Sequence, residues 1–422
     1  ATDLSAPGLN VDGRYVYYSA GAAMGLGTGT PNVIAGYYPV LKDSNLKWET
    51  NEQTNIGIDA AFFGSELVIS LDYFIRTSKD LLLNRNIRPS SGYSTIYTNY
   101  GEIQNKGIEF SIGYNKRINK DWSINAQLTG STLKNKVKKM GDPIYNTNSD
   151  SSSNANPTGD NSNTGAVGSA DGYHWGQHSI CMEGEAVGSF YGYRVVGIIT
   201  NQEMLDKALA QGQNAKMGDY LFEDFAGGGE NGDQPDGILN EQDRTILGNG
   251  FPKLNYGITL GANYKNWDFT MQMHGVLGQK IFSYSAMRLE NMFSSDDGTS
   301  PNILAEAAKN AWSTENPNGT NTRLSFLDEN YNMRASDAWV KNGDFLKISN
   351  IQIGYTLPRN VSNRLLIQNA RIYLAIQNLC CISGYNKYGD PECGQGSVLY
   401  TGLDTGRYPM PRTYAFGVNV TF

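Results

Sequence analysis

Three observations predict an all-β chain of the transmembrane antiparallel barrel type. Apolar and polar residues alternate along segments of about ten residues; tight turns and long polar connections take turns between those segments; and the last segment, Thr413 to Phe422, ends on an aromatic residue. In that segment Tyr414, Phe416, Val418, Val420 and Phe422 fall on one face. Thr413, Ala415, Gly417, Asn419 and Thr421 fall on the other, because successive strand side chains point to opposite sides. A sandwich strand would show the same alternation, so the weight of the prediction rests on its recurrence upstream.

Composition agrees. Of 422 residues only 39% are hydrophobic, with 48 Gly, 26 Tyr and a formal charge of -7. A barrel needs only alternate residues to be apolar, so a mean hydropathy of -0.44 is compatible with a membrane. No run of about 18 apolar residues is present, which excludes an ordinary spanning helix. The acidic balance and the lack of a basic stripe with interleaved aromatics exclude nucleic-acid binding. The opening A-T-D-L-S-A-P-G-L-N has neither a charged n-region nor an apolar h-region.

In chain order, residues 1 to 47 read as loop with one short strand near Arg14 to Tyr18. Gln53 to Phe63 and Leu67 to Arg76 then form a hairpin: Ile56, Ile58, Ala60 and Phe62 on one strand, Leu67, Ile69, Leu71, Tyr73 and Ile75 on the other, turned by Gly64-Ser65. Asn84 to Gln104 reads as a long polar connection. The pattern returns at Ile108, Phe110, Ile112 and Tyr114, turns at N-K-D, and continues at Trp122, Ile124, Ala126 and Leu128. Residues 146 to 172 are low-complexity and polar, as expected of an external loop. Thr200 to Glu203 reads as a capping box before a short loop helix.

Leu254, Tyr256, Ile258, Leu260, Ala262 and Tyr264 then alternate with small or polar residues. Lys265-Asn266 turns the chain into Trp267, Phe269, Met271 and Met273, opposite Asp268, Thr270, Gln272 and His274. Pro301 opens another predicted loop helix. Between Phe345 and Leu357 the phase slips from Leu346 and Ile348 to Ile351, Ile353 and Tyr355, which predicts a bulge near Ser349 to Asn350. Ile372, Leu374 and Ile376 precede the closing strand. Nine strands are clear, and one to four more are expected near residues 14, 193 and 282. Trp122, Tyr264, Trp267, Tyr355 and Phe422 sit at strand ends, as an interface girdle requires.

The chain also resembles a known family over most of its length. L-K-W-E-T-N-E-Q-T-N-I-G-I-D (Leu46 to Asp59), N-Y-G-E-I-Q-N-K-G-I-E-F (Asn99 to Phe110), G-S-F-Y-G-Y (Gly188 to Tyr193), the D-G-x5-D-R-x3-G run from Asp236 to Gly248, F-L-K-I-S-N-I-Q-I-G-Y-T-L-P (Phe345 to Pro358) and the terminal G-V-N-V-T-F are similar to the C-terminal barrel portion of SusC/RagA-type TonB-dependent transporters of Bacteroidetes. The resemblance implies a barrel of roughly 22 strands around an N-terminal plug, of which residues 1–422 would be the C-terminal portion. The plug, the TonB-contacting segment and the early strands would lie elsewhere. It further implies bacterial outer-membrane import of glycans or peptides with a SusD-like surface lipoprotein, in a SusCD-type complex able to dimerise, and a terminal Phe422 that signals barrel insertion. No catalysis and no obligatory cofactor are implied.

Candidate sites follow from residue chemistry. Tyr93, Tyr97, Trp175, Tyr385 and Tyr388 are candidates to stack on sugar rings or to pack on a lipoprotein, against a structural reading as girdle or loop packing. Asp236, Asn240 and Asp243 match later positions of an EF-type loop, with Asp224 or Asp233 (or Asn231) filling the first positions, so calcium is weighed against Asx turns within an acidic loop. His174 and His178 have i, i+4 spacing but no third ligand. Of Cys181, Cys380, Cys381 and Cys393, a Cys381 to Cys393 clasp is the expected pairing. An outer-membrane protease or phospholipase is disfavoured by three histidines and no G-x-S-x-G elbow. The other class in play is a soluble β-sandwich or propeller that binds carbohydrate.

Overall fold

In the computed structural model the described residues are 8–9, 15–19, 34–38, 40–43, 45–86, 95–140, 144–147, 177–226, 232, 234–292, 302–364, 366–393 and 400–422. Nine strands run consecutively as one antiparallel wall: β1 Thr50–Phe62, β2 Leu67–Asn86, β3 Thr95–Arg117, β4 Trp122–Thr132, β5 Leu254–Tyr264, β6 Trp267–Leu277, β7 Phe345–Thr356, β8 Asn369–Ser383 and β9 Thr413–Thr421. These are the nine segments the alternation marks. Every strand is a neighbour of the next in sequence, the meander order of an up-and-down barrel.

The registers settle which residues share a face. Ile58 pairs with Leu71, Leu71 with Phe110, Leu128 with Ile258, Ile258 with Met273, and Ile353 with Leu374, which in turn pairs with Phe416. Each apolar set therefore continues its neighbour's across the sheet. The opposite face carries Asp59, Ser70, Ser111, Thr129, Gly257, His274 and Lys347 as one such row. Many large apolar side chains are exposed on the first face, Ile56, Ile58, Leu71, Tyr73, Leu374 and Phe416 among them. Among the described residues no second sheet covers it, as a sandwich would require.

The three tightest turns, 63–66, 118–121 and 265–266, lie at one end. Tyr264 pairs directly with Trp267, leaving the expected two-residue turn, with Lys265 at a positive φ of 52°. Asn119 Oδ1 accepts from the amides of Asp121 and Trp122 in the N-K-D turn. The first hairpin departs from expectation: Phe62 pairs with Leu67, so the turn has four residues, and Phe63, Gly64 and Ser65 all take positive φ. At this end Trp122 packs on Tyr264 (ring centroids 4.5 Å apart) and Trp267 on Tyr355 (4.8 Å), forming an aromatic row over four adjacent strands.

Two further expectations change. Asn84 to Gln104 is not mostly a connection, because β2 and β3 pair up to Asn86 and Thr95. Strands of 20 and 23 residues extend to about 65–75 Å at about 3.3 Å per residue, well beyond an apolar band of about 25 Å even when tilted. Polar sequence here marks where the strands leave that band. The short strands near 14, 193 and 282 exist, as Tyr15–Ser19, Ser189–Gly192 with Val195–Ile198, and Lys280–Ser283, but they belong to small separate sheets rather than the wall.

The bulge falls where the phase slips. Asn350 pairs with Gln272 and Ile348 with Met273, so Ser349 is the extra residue, and its hydroxyl donates to the Gln272 carbonyl at 3.0 Å. The loop helix spans Gln202–Ala210, but its cap is Asn201, whose side chain accepts from the Met204 amide at 2.9 Å, rather than Thr200. A later helix spans Ala305–Asn310 without a side-chain cap; Pro301 and most of 146 to 172 lie outside the described residues.

Candidate functional site

The end of the wall opposite the tight turns carries a folded loop layer. Its core brings together Phe190, Phe282, Met287, Met333, Ala335, Trp339 and Leu403, which are far apart in sequence. Lys280–Ser283 is the staple of this layer, pairing antiparallel with Val340–Asn342 and parallel with Leu403–Asp404. A second cluster, Val137, Met140, Cys181 and Val187, packs on Leu83 and Ile103 of the protruding β2 and β3. The loops are thus anchored to the wall by apolar burial. Gly250 marks a close approach between two of them: a Cβ there would stand 2.0 Å from the Thr401 carbonyl oxygen. Gly250→Ala is expected to destabilise the loop layer by about 1–3 kcal/mol, read as faster trypsin cleavage of the loops with the wall's heat-resistant form unchanged.

Tyr385 is corrected as a ligand-facing aromatic. It is 1% exposed, and its hydroxyl is held by Asp404 and Ser283, so it ties one loop to the staple. Burial first, then the hydrogen bond to Asp404, raises its phenol well above the usual range. Tyr388 is half-buried; its hydroxyl donates to Glu290, and Lys387 and Lys341 approach its ring at 4.8 and 5.5 Å. Tyr97 is exposed on β3. Tyr93 and Trp175 lie outside the described residues. On β9, Tyr414, Phe416, Val418 and Val420 are exposed at 63, 74, 51 and 43%, followed by Phe422 at 84%.

The acidic loop uses its carboxylates on its own backbone. Asp224 accepts from the amides of Asp236 and Gly237, Asp236 from Ile238, and Asn240 from Gln242. Asp243, fully buried, accepts from Phe225 and Ala226 through one oxygen and from Asn240 through the other. Among the described residues no group of three His, Cys, Asp or Glu could hold a metal, and Asp233 and Asn231 lie outside them. Asp243→Ala strands three amides and should cost about 1–3 kcal/mol, seen as faster hydrogen exchange at Phe225 and Ala226, equally with and without added calcium. Protection by calcium would instead restore the cation reading.

Cys381 and Cys393 are free thiols rather than a clasp, and the Cys393 thiol donates to the Asp390 carbonyl. His178 is buried against the Phe282 ring, 5.5 Å between centroids, and His174 lies outside the described residues.

The inner face holds what periodicity alone did not single out. Lys347 of β7 is only 3% exposed, and its ammonium meets Asp390 at 3.0 Å and also Glu392. His274 of β6 lies 3.0 Å from the other oxygen of Glu392. His274 and Glu392 border a recess of about 790 Å3, which Glu109, Ser131, Asn255 and Arg407, among others, also line. Burial raises the Glu392 carboxyl, but hydrogen bonds with Lys347 and His274 outweigh it and hold the group below the usual carboxylate range. Nearer the turns, Arg371 reaches across β7 to Asp268, over Gly354, where any Cβ would collide with the guanidinium. Such a face can bind polar groups through hydrogen bonds and charge.

Comparison with known proteins gives a consistent picture. The TonB dependent receptor-like β-barrel family matches residues 4–379. The chain is 31% identical over 389 residues to TonB-dependent receptor P3 of Formosa agariphila, covering 90% of this chain and 35% of that protein. It is 26% identical over 389 residues to TonB-dependent receptor SusC of Bacteroides thetaiotaomicron, covering 91% and 33%. Among solved structures, the RagAB peptide transporter superposes with a TM-score of 0.68 at 19% identity, over 96% of this chain and 38% of that one. The chain therefore spans about a third of the length of the curated relatives it matches.

Proposed function

This chain belongs to the TonB-dependent receptor family, as part of its outer-membrane β-barrel, and from that premise we propose that it forms the C-terminal portion of the wall of an importer for glycans or peptides. The observation that carries the reading is the register, which gathers the apolar residues of nine strands on one face and the polar ones on the other. The apolar face meets lipid. The polar face lines the passage. Residues 278–292, 302–344, 384–393 and 400–412, at the end opposite the turns, face outward and meet a SusD-like surface lipoprotein that captures cargo. TonB acts through a plug supplied by other parts of the receptor, in a SusCD-type complex able to dimerise.

The test is purification of the full-length receptor from outer membranes in detergent, followed by binding of glycan and peptide panels to whatever complex emerges. A lipoprotein should co-purify, and one cargo class should bind and be taken up in a TonB-dependent manner. If no lipoprotein associates and deletion of the receptor leaves uptake of both classes unchanged, the proposal fails. A receptor that stays monodisperse in plain buffer would overturn the barrel assignment itself.

A further inference from the structure

We propose that Lys347 and His274 form a carboxylate-binding site at the edge of the luminal recess, occupied at rest by the chain's own Asp390 and Glu392, which a carboxylate-bearing cargo displaces. The inference rests on the import reading, since it needs cargo to reach the lumen. Its grounds are geometric. Lys347 is a cation on the inner face of a wall strand, almost entirely buried, and the carboxylates that pair with it belong to the loop after β8 rather than to the wall. Glu392 bridges two adjacent strands, one oxygen on Lys347 and the other 3.0 Å from His274.

The loop is pinned before this stretch by Asn386, which donates to the Cys381 carbonyl of β8 at 2.8 Å, and by buried Tyr385, so the displacement concerns the short run Asp390 to Cys393. Asp390 and Glu392 supply its ionic contacts to β6 and β7, and the Asp390 carboxylate also accepts the Glu392 amide at 3.0 Å, so the two act together. Arg407 donates to the Glu392 main-chain carbonyl at 2.8 Å, bracing the segment from the loop side and not from the wall. Glu392 is 40% exposed on its side chain and lines the recess together with His274, so an incoming group meets Glu392 and His274 first and reaches Lys347 only as Glu392 leaves. Charge-assisted hydrogen bonds from Lys and His to a carboxylate do not depend on which chain carries it. A uronate of an oligosaccharide or a side-chain or terminal carboxylate of a peptide offers the same two oxygens. Competition is then a matter of mass action.

Cys393 reports the event. Its thiol is half-buried beside Glu392, donates to the Asp390 carbonyl at 3.2 Å, and is pushed up to about 12 by burial, followed by the Asp404 charge. In the resting state it reacts slowly, because the thiolate is the nucleophile. Displacement of Asp390 to Cys393 exposes it.

The experiment follows N-ethylmaleimide modification of Cys393 by peptide-resolved mass spectrometry, in the full-length receptor in detergent at neutral pH and low salt. A short oligogalacturonate and an acidic peptide are each compared with a neutral counterpart of the same length. One or both carboxylate probes should speed labelling about tenfold, a shift of about 1.4 kcal/mol, and which of them does so identifies the source of the carboxylate. Glu392→Gln should raise the basal rate and lower the half-saturating probe concentration about tenfold; Lys347→Met should abolish probe binding and Lys347→Arg restore it. Acceleration by neutral probes to the same extent, no acceleration by either carboxylate, or unchanged probe affinity in Glu392→Gln overturns the proposal. A receptor that imports cargo yet shows no displacement sinks this inference alone.

Discussion

Ile376→Arg should leave most of the receptor unassembled. Ile376 lies on the apolar face of β8, paired with Ile351 and Tyr414, and stands four residues inward from Ile372, which pairs with Tyr355 of the aromatic row. Four residues of a strand tilted by about 45° correspond to about 9 Å of depth, close to the middle of an apolar band about 25 Å tall. An arginine there costs about 2–4 kcal/mol, against about 0–1 near the interfaces. The measurement is the fraction of receptor in outer membranes that migrates as the heat-modifiable, folded form. Thr259→Lys places a charge on the opposite face of β5, between Gln127 and Gln272, and should assemble normally. Equal assembly of both variants would mean that the apolar face does not meet lipid.

Trp339→Ala should disorganise the loop layer while sparing the wall. Trp339 is 1% exposed at the centre of the loop core and packs edge-on against Tyr220, 6.2 Å between ring centroids. Its neighbours come from the segments before β5, between β6 and β7, and between β8 and β9, so one truncation loosens all three. Removing a buried Trp costs about 3–5 kcal/mol, a large fraction of what a layer of short strands and helices can hold in reserve. Intact cells should show rapid trypsin cleavage near Arg334 and Lys341, loss of any surface partner, and an unchanged heat-modifiable wall. A variant with wild-type cleavage and partner binding would show that these loops do not depend on a common core.

How far residue patterns reach is visible in particular elements. Tyr264-Lys265-Asn266-Trp267 could be read as a turn with its flanking girdle because everything that defines it is local: period-two alternation, two turn residues, aromatic ends. The bulge at Ser349 was legible for the same reason, as a slip in phase. Phe282 and Leu403 could not be read as partners, since strands of two to four residues carry no period and their pairing depends on contacts distant in sequence. Asn84 to Gln104 misled because polarity was taken as the end of a strand, when Ile96, Tyr97 and Ile103 continue the ladder above the apolar band. Tyr385 resembled an exposed loop aromatic; nothing short of the fold reveals that its hydroxyl is held by Asp404. Family membership was legible from ordered motifs, whereas Lys347 went unmarked because a lone lysine in F-L-K-I-S-N looks like a solvated edge until its strand is paired.

The extra residue at Ser349 also acts as a parity device. Strand side chains alternate strictly, so an insertion of one residue exchanges the faces of everything on one side of it. Counting from Ile351 and Ile353, an unbulged β7 would aim Lys347 at lipid and Leu346 and Ile348 at the passage; the bulge reverses that assignment. Flattening the bulge with Ser349 retained would therefore act like a frameshift confined to one rung of the wall, turning Lys347 from the passage toward the membrane, whereas deleting Ser349 would leave Ile348 and Asn350 opposite Met273 and Gln272 as they are now and keep every face. Variation among related barrels should accordingly tolerate loss of the residue at 349, which keeps Lys347 on the polar face, far better than loss of one paired residue beside it, such as Ile348 or Asn350.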